Sequence, residues 1–316
     1  MEHFSLKIKK ILDRLADSEK SPRSFIFSGP EGTGKEEAAY YFISKIVGKD
    51  SDAEFIKKMR EKIHPDVVVI EPEVEEKKGR KREKEIGISQ VKEARERLKY
   101  FPYEIKKKFC LIKYANRLNR EASNSLLKVL EEPSADAYFI LLSPNLDSML
   151  STIQSRCAAL RFPPMTEKEF LVWAKKQNIT KDETEKIRLW SGGKIELAQN
   201  MLEDKNYLSE KENRRQKLRK IFTEEIYQRF EYAEEKSKDR NEMISILEDW
   251  EMLTGEGMRK MMSESRNGDE NKRNKQQVRR LSLLLGNLRE TINRIQETNA
   301  NPRAACEKLV LDMEWK

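Results

Sequence analysis

The sequence predicts an α/β fold with a parallel sheet in its first half, followed by helices. Three observations lead to this prediction. Short apolar runs alternate with helical segments, a phosphate-loop motif follows the first of these runs, and the strand pattern ends after Pro163-Pro164. Strands separated by helices pair in parallel and are covered by helices on both faces, so we expect the apolar runs to be the core strands of the sheet.

The apolar runs predict five strands, and the segments between them predict helices. The expected strands are 24–28, 67–70, 109–112, 138–142 and 159–162. The expected helices are an amphipathic one at the N-terminus and then 35–47, 54–62, 89–99 and 120–131. Cys110 lies inside the third run, so we expect it to be buried as a small hydrophobic residue rather than to react.

A charged stretch, residues 71–87, interrupts this alternation. Its basic and acidic residues nearly cancel, which favours a solvated, mobile loop. An arm that contacts DNA is the alternative that the sequence leaves open.

The second half of the chain has a helical pattern throughout. Residues 166–203 predict two or three short helices, with Gly192-Gly193 as the break before the last one. From residue 205 onward the pattern is that of charged helices, interrupted near 234–240 and 264–276. One apolar set has heptad spacing and is either the core of a bundle or a surface that packs against another subunit: Val278, Leu281, Leu285, Leu288, Ile292 and Ile295.

Composition excludes several classes of protein. The 316 residues predict two or three domains, and the net charge of +8 is compatible with nucleic acid or an acidic partner without requiring either. No apolar stretch approaches the roughly 20 residues that cross a bilayer. Three scattered cysteines and two histidines do not have the spacing of a four-ligand zinc site, and they suit a reducing compartment.

Residues 29–35 (GPEGTGK) form a G-x-x-x-x-G-K motif between a predicted strand and a predicted helix. In this context the glycines let backbone N–H groups face a phosphate, and the lysine reaches its outer oxygens. The candidate phosphate-binding residues are Gly29, Gly32, Thr33, Gly34 and Lys35.

Two positions that a hydrolysing phosphate loop needs are changed. Glu36 stands where Ser or Thr would hold Mg²⁺, and Lys113-Tyr114 ends the strand at which an acidic residue would orient the metal. We therefore expect a P-loop domain that does not turn over ATP appreciably and has no metal site. ATP or ADP would bind weakly without a well-held Mg²⁺, and no cofactor is required.

Several motifs together resemble the clamp-loader AAA+ proteins of bacterial replication. They are 87–91 (GISQV), 101–104 (FPYE), 108–112 (KFCLI), 119–133 (NREASNSLLKVLEEP), 152–157 (TIQSRC) and 301–303 (NPR). The resemblance implies a RecA-like AAA+ P-loop domain (1–165), a small helical lid domain (166–203) and an all-helical collar domain for oligomerisation (204–316).

Departures from the family pattern refine this resemblance. Because it lacks the residues that hold magnesium, the chain resembles the delta prime type of subunit, which is generally described as not hydrolysing ATP. Family members commonly carry a four-Cys zinc module before the His64-Pro65-Asp66 segment, but residues 47–63 contain no Cys, so we expect no zinc. The segment Lys194-Ile195-Glu196 offers no arginine for the second sensor of the family.

The resemblance also implies a role for Arg156, in the S-R-C motif. In the family this arginine reaches in trans to the ATP of a neighbouring subunit and stabilises the charge that develops during phosphoryl transfer. A structural ion pair is the alternative interpretation of Arg156. The implied partners are delta and gamma/tau subunits, through the AAA+ and collar domains, and the sliding clamp and primer-template DNA, through the complex. No membrane is involved, and the implied localisation is cytoplasmic.

The functional hypothesis is a non-hydrolysing subunit of the DNA polymerase III clamp loader that donates Arg156 to a neighbouring ATPase and helps to load the clamp. Two alternatives stay open. One is an active gamma/tau-type ATPase, with Glu36 as an unusual metal ligand. The other is a stand-alone P-loop phosphotransferase, which would leave the S-R-C and collar segments unexplained.

Overall fold

A computed structural model describes residues 4–50, 52–77, 80–131, 136–221, 224–265, 272–297 and 300–312. By its internal contacts the chain divides into two compact units. The first comprises Met1–Asn178 and Gly193–Gln199, and the second comprises Ile179–Gly192 and Asn200–Lys316. The predicted division into three domains stays a prediction.

The first unit is built on a five-stranded parallel sheet. The strands of the described residues are β1 (Ser24–Ser28), β2 (Val67–Ile70), β3 (Val74–Lys77), β4 (Arg80–Glu83), β5 (Lys108–Ile112), β6 (Ala137–Ser143) and β7 (Ala158–Arg161). The sheet has the order β2-β5-β6-β1-β7, and all of its pairs are parallel. This confirms the predicted fold class, a RecA-like P-loop domain with helices after it.

The helices of the described residues follow the predicted positions closely in the first half. They are α1 (Leu6–Ala16), α2 (Lys35–Ile46), α3 (Ala53–Arg60), α4 (Ile88–Lys99), α5 (Arg120–Glu131), α6 (Ser151–Gln154), α7 (Glu167–Lys176), α8 (Lys181–Ser191), α9 (Ile195–Glu203), α10 (Lys205–Ile221), α11 (Ile226–Lys236), α12 (Arg240–Ser265), α13 (Lys272–Glu297) and α14 (Pro302–Asp312). None of them combines the length and apolarity that crossing a bilayer requires.

Successive strand residues point to opposite faces of the sheet, which gives the first unit two apolar cores. Phe25 and Phe27 of β1 pack with α1, α2 and α3 on one face, and Ile26 packs with α4 and α5 on the other. Cys110 is buried in the second core as predicted, and burial raises the pKa of its thiol to about 12. Because the core strands are parallel, their carboxyl ends share one edge, where the loop after β1 meets the residues that follow β5.

The charged stretch 71–87 corrects one prediction. Val74–Lys77 and Arg80–Glu83 pair antiparallel as β3 and β4, so an irregular loop is the wrong description of this segment. The cause is that cross-strand backbone hydrogen bonds do not require apolar side chains, whereas the strand prediction rests on apolar runs.

In the second unit, α12 packs against α13, and α14 closes one side of the shared core. The heptad set divides between core and surface. Leu288, Ile292 and Ile295 are buried with the α12 side chains, whereas the N-terminal members Val278, Leu281 and Leu285 are half-buried. The predicted break near 234–240 is confirmed, the one near 264–276 lies largely outside the described residues, and a further break between α10 and α11 was not predicted.

Candidate functional site

The phosphate loop has the backbone that its glycines predict. Gly32 and Gly34 have φ of 77° and 84°, in the left-handed region that favours glycine, and Gly34 caps the N-terminus of α2. A Cβ at Gly29 would lie 2.1 Å from the carbonyl oxygen of Phe162, the residue after β7. The loop therefore needs glycine for its own packing, whether or not a phosphate is bound.

The lysine of the motif is hydrogen-bonded to its own loop. The Lys35 Nζ donates to the carbonyl oxygens of Gly29 at 2.5 Å and Pro30 at 2.6 Å, and the Thr33 hydroxyl donates to the Pro30 carbonyl at 2.8 Å. Burial lowers the pKa of Lys35, and the nearby Glu196 carboxylate opposes that shift. The ammonium group is thus satisfied within the chain.

The two changed magnesium positions contact each other. Lys113 Nζ lies 2.6 Å from Glu36 Oε1 and 3.5 Å from Glu71 Oε2, and the Lys113 side chain is only 13% exposed. Glu36 also accepts a hydrogen bond of 3.0 Å from the Tyr40 hydroxyl. An ammonium cannot ligate a cation, and here it neutralises the carboxylate that could have done so. This set of donors does not fit Mg²⁺.

A cavity of about 250 Å³ lies at this edge of the sheet. It is lined by Glu31, Gly32, Lys35, Glu36, Lys113, Tyr114, Leu142, Ser143, Pro144 and Glu196. Burial raises the pKa of Glu196, and the neighbouring Glu37 adds to the shift. Of the phosphate-loop candidates, Gly32 and Lys35 line this cavity, together with two acidic side chains from outside the motif, Glu36 and Glu196.

Arg156 lies away from this cavity, just after α6. Its Nε and Nη2 donate to Glu131 Oε1 at 3.0 and 2.5 Å, and its Nη1 donates to the carbonyl oxygen of Thr152 at 3.0 Å. The Arg156 side chain is 34% exposed and the Glu131 side chain is 50% exposed. The structure therefore contains the ion pair that the alternative interpretation expects, and it also keeps the guanidinium at the surface.

Sequence reasoning missed Asp66 as a structural residue. Its carboxylate, 1% exposed, accepts backbone N–H bonds of 2.8, 2.7 and 3.1 Å from Tyr103, Glu104 and Ile105. Asp66 thereby fixes the segment between α4 and β5. An acidic residue placed directly before a fully apolar strand was the signal that could have indicated this role.

Comparisons with known proteins agree with the motifs. Residues 5–166 match the family described as DNA polymerase III, delta subunit. The DNA polymerase III subunit delta' of Bacillus subtilis is 28% identical over 178 residues, which cover 53% of this chain and 50% of that protein. The subunit delta' of Haemophilus influenzae is 32% identical over 100 residues, which cover 32% of this chain and 31% of that protein.

Similarity extends to other proteins of the same machinery. The gamma/tau subunit of Mycoplasma genitalium is 26% identical over 262 residues, which cover 77% of this chain and 42% of that protein. Among solved structures, a gamma subunit-related protein from Thermotoga maritima is 16% identical, with a TM-score of 0.43 and coverage of 96% of this chain and 97% of that one. The matches span about half or less of the curated relatives named here. Since the family match covers half of the sequence, the chain belongs to the DNA polymerase III delta subunit family.

Proposed function

We propose that the chain is a non-hydrolysing, delta prime type subunit of the DNA polymerase III clamp loader. The observation that carries the proposal is the 2.6 Å contact between Glu36 and Lys113. Hydrolysis by a P-loop requires Mg²⁺ to bridge the outer phosphates and neutralise developing charge. Glu36 stands at the position that would hold Mg²⁺, and its carboxylate is already paired with the Lys113 ammonium, so this pair does not fit the metal.

The second part of the proposal concerns Arg156. We propose that it completes the ATP site of a neighbouring subunit, as an arginine finger. Its exposed guanidinium supports this role, because a group that is already held at the surface by Glu131 and Thr152 can exchange its carboxylate for a phosphate without refolding. A preorganised cation of this kind is effective because charge accumulates on the phosphoryl group in the transition state.

The partners and setting follow from the family. Gamma/tau and delta subunits are the proposed neighbours, and the sliding clamp and primed DNA are the proposed substrates of the assembly. Replication proteins of this kind act on DNA in the cytoplasm of bacteria, which is the proposed localisation. Within the complex the chain would hold a fixed position and supply Arg156, while its own cavity stays inactive.

The test is Arg156→Ala in the full complex, reconstituted with gamma/tau and delta subunits, clamp and primed DNA. We expect the complex to assemble normally and DNA-stimulated hydrolysis at the adjoining ATP site to fall by about tenfold or more. Arg161→Ala is the matched control, because Arg161 is an exposed arginine at the end of β7 in the same unit. Full activity of the Arg156 variant, or an equal loss in the control, would remove the finger role.

A specific observation also favours the alternative, an active ATPase, since similarity to a gamma/tau subunit covers 77% of this chain. The full-length chain alone, assayed for Mg²⁺-dependent phosphate release with and without primed DNA, separates the two. We expect no release above that of the Lys35→Ala variant. Turnover of about one per second or more, the lower end of ordinary enzyme rates, would establish the alternative.

A further inference from the structure

Glu196, at the start of α9, is fixed on the phosphate loop. Its backbone N–H donates to the carbonyl oxygen of Gly32 at 3.0 Å. Lys194, two residues before Glu196, has its Cβ 3.5 Å from the position that a Cβ on Gly32 would occupy. The first turn of α9 and the loop are therefore in direct backbone contact, which determines where the Glu196 side chain can reach.

The Glu196 carboxylate faces the groups that a phosphate loop uses to bind its ligand. It lines the same cavity as Lys35, and these two side chains attract each other. The backbone N–H of Gly34 also faces the carboxylate and favours its charged form. A loop N–H group at the start of a helix and the motif lysine are the donors that hold a phosphate oxygen in a P-loop. In this chain an acidic side chain, that of Glu196, lines the cavity beside these two donors.

The position is only partly favourable for a carboxylate. Burial raises the pKa of Glu196, and Glu37 and Glu36 raise it further, against the lowering effects of Lys35 and Gly34. An incoming polyphosphate would meet the same acidic surroundings, because Glu31, Glu36 and Glu196 line the cavity against two lysines. With no Mg²⁺ to offset this charge, a ligand would have to displace Glu196 and tolerate the other carboxylates.

We propose that Glu196 is an internal anion that occupies the phosphate position of loop 29–35. The loop therefore binds a polyphosphate only when Glu196 is neutralised or moves away. The ligand class is a polyphosphate, carried either by a nucleotide or free. The inference concerns the cavity alone and does not rest on a role in a clamp loader.

The experiment is isothermal titration of the full-length chain, in EDTA, with ATP and with tripolyphosphate. We expect Glu196→Gln and Glu196→Ala to bind both ligands about tenfold more tightly than wild type, or more, since each substitution removes the anion beside Lys35 and the Gly34 N–H. Adding Lys35→Ala to Glu196→Gln should abolish the gain. Thermal unfolding of each variant verifies that it is folded, and Glu196→Gln preserves the shape of the side chain.

Glu31→Gln is the matched control, because Glu31 lines the same cavity with the same charge but lies on the loop itself. We expect it to change affinity by less than about threefold. An equal gain in this control would mean that net charge, not occupancy of the cradle, limits binding, and would overturn the proposal. Unchanged affinity in both Glu196 variants would overturn it, as would a gain confined to ATP, which would place the effect at the base or ribose.

Discussion

The cavity at the phosphate loop and the surface around Arg156 handle charge in opposite ways. In the cavity, Lys35 is bonded to its own loop, and Lys113, 13% exposed, is paired with Glu36. At the surface, Arg156 is paired with Glu131, and both side chains remain accessible to solvent. In the first region the cations are largely buried and paired within the chain, whereas in the second the cation is more exposed to solvent.

This difference determines which charges are available for function. Removing one partner from a buried ion pair typically costs about 3–5 kcal/mol, because the other charge is left without compensation. A surface pair typically contributes only about 0–1 kcal/mol, so its arginine can exchange one anion for another at little cost. We infer that Glu36 and Lys113 stabilise the fold, while the pair between Arg156 and Glu131 positions a guanidinium.

The largest expected effect is that of Lys113→Glu. The substitution would place a third carboxylate beside Glu36 and Glu71, at a site with little access to solvent. We expect the free energy of unfolding to fall by about 2–4 kcal/mol, somewhat below the range for fully buried pairs because Glu36 is 41% exposed. Urea denaturation of the full-length chain measures the change.

Two further variants test whether the pair causes this loss. Adding Glu36→Lys to Lys113→Glu restores opposite charges and should recover at least half of the stability. Lys92→Glu, on the exposed face of α4, is the control and should change stability by less than about 0.5 kcal/mol. If the double variant is no more stable than Lys113→Glu alone, the two residues do not act as a pair.

The same contrast shows what the sequence could and could not predict. The core strands were predictable because a strand buried on both faces must be apolar along its whole length, as in Phe109-Cys110-Leu111-Ile112. The phosphate loop was predictable because its glycines adopt backbone conformations that other residues rarely adopt, so the motif is visible in the local sequence. Glu36 and Lys113 were recognised as two separate losses. Their pairing depends on the strand order, in which only β6 separates β1 from β5, and a strand pattern alone does not provide that order.

Glu196 and the hairpin were missed for different reasons. The family resemblance implies an arginine in the segment after Gly193, and nothing in a helix start such as Lys194-Ile195-Glu196 indicates which loop it contacts. The sequences of β3 and β4 consist almost entirely of charged residues, so neither contains the apolar run that predicts a strand. Contacts made by polar side chains across distant segments are specified by the assembled fold, not by local periodicity.

A smaller effect is expected from the pH dependence of Glu196. Its pKa is raised above the ordinary value of 4.5, mainly by burial and with contributions from Glu37 and Glu36, while Lys35 opposes the shift. The folded state therefore holds the proton more tightly than the unfolded state does. The resulting stabilisation is complete below the ordinary pKa and is lost as the pH rises through the raised pKa.

Glu196→Gln removes this titration, and comparison of the variant with wild type shows whether ionisation of Glu196 lowers the stability of the fold. We expect the variant to unfold at a higher urea concentration than wild type at about pH 7–8, and the difference to disappear towards about pH 4, where the wild-type side chain is neutral as well. The change should be smaller than the loss caused by Lys113→Glu. A difference that does not vary with pH would show that ionisation of Glu196 is not its cause.

The smallest effect on stability is expected at the surface, from Glu131→Ala. The substitution removes the carboxylate that accepts from Nε and Nη2 of Arg156, but Nη1 retains the carbonyl oxygen of Thr152. Since half of the Glu131 side chain is exposed, we expect a loss of no more than about 0.5–1 kcal/mol in urea denaturation. A reconstituted complex that carries this variant should retain most of its ATP hydrolysis, because Arg156 remains present. A loss of stability as large as that of Lys113→Glu would contradict the difference between the two ion pairs. It would mean that the pair between Arg156 and Glu131 stabilises the fold, so that Arg156 could not exchange Glu131 for another anion at little cost.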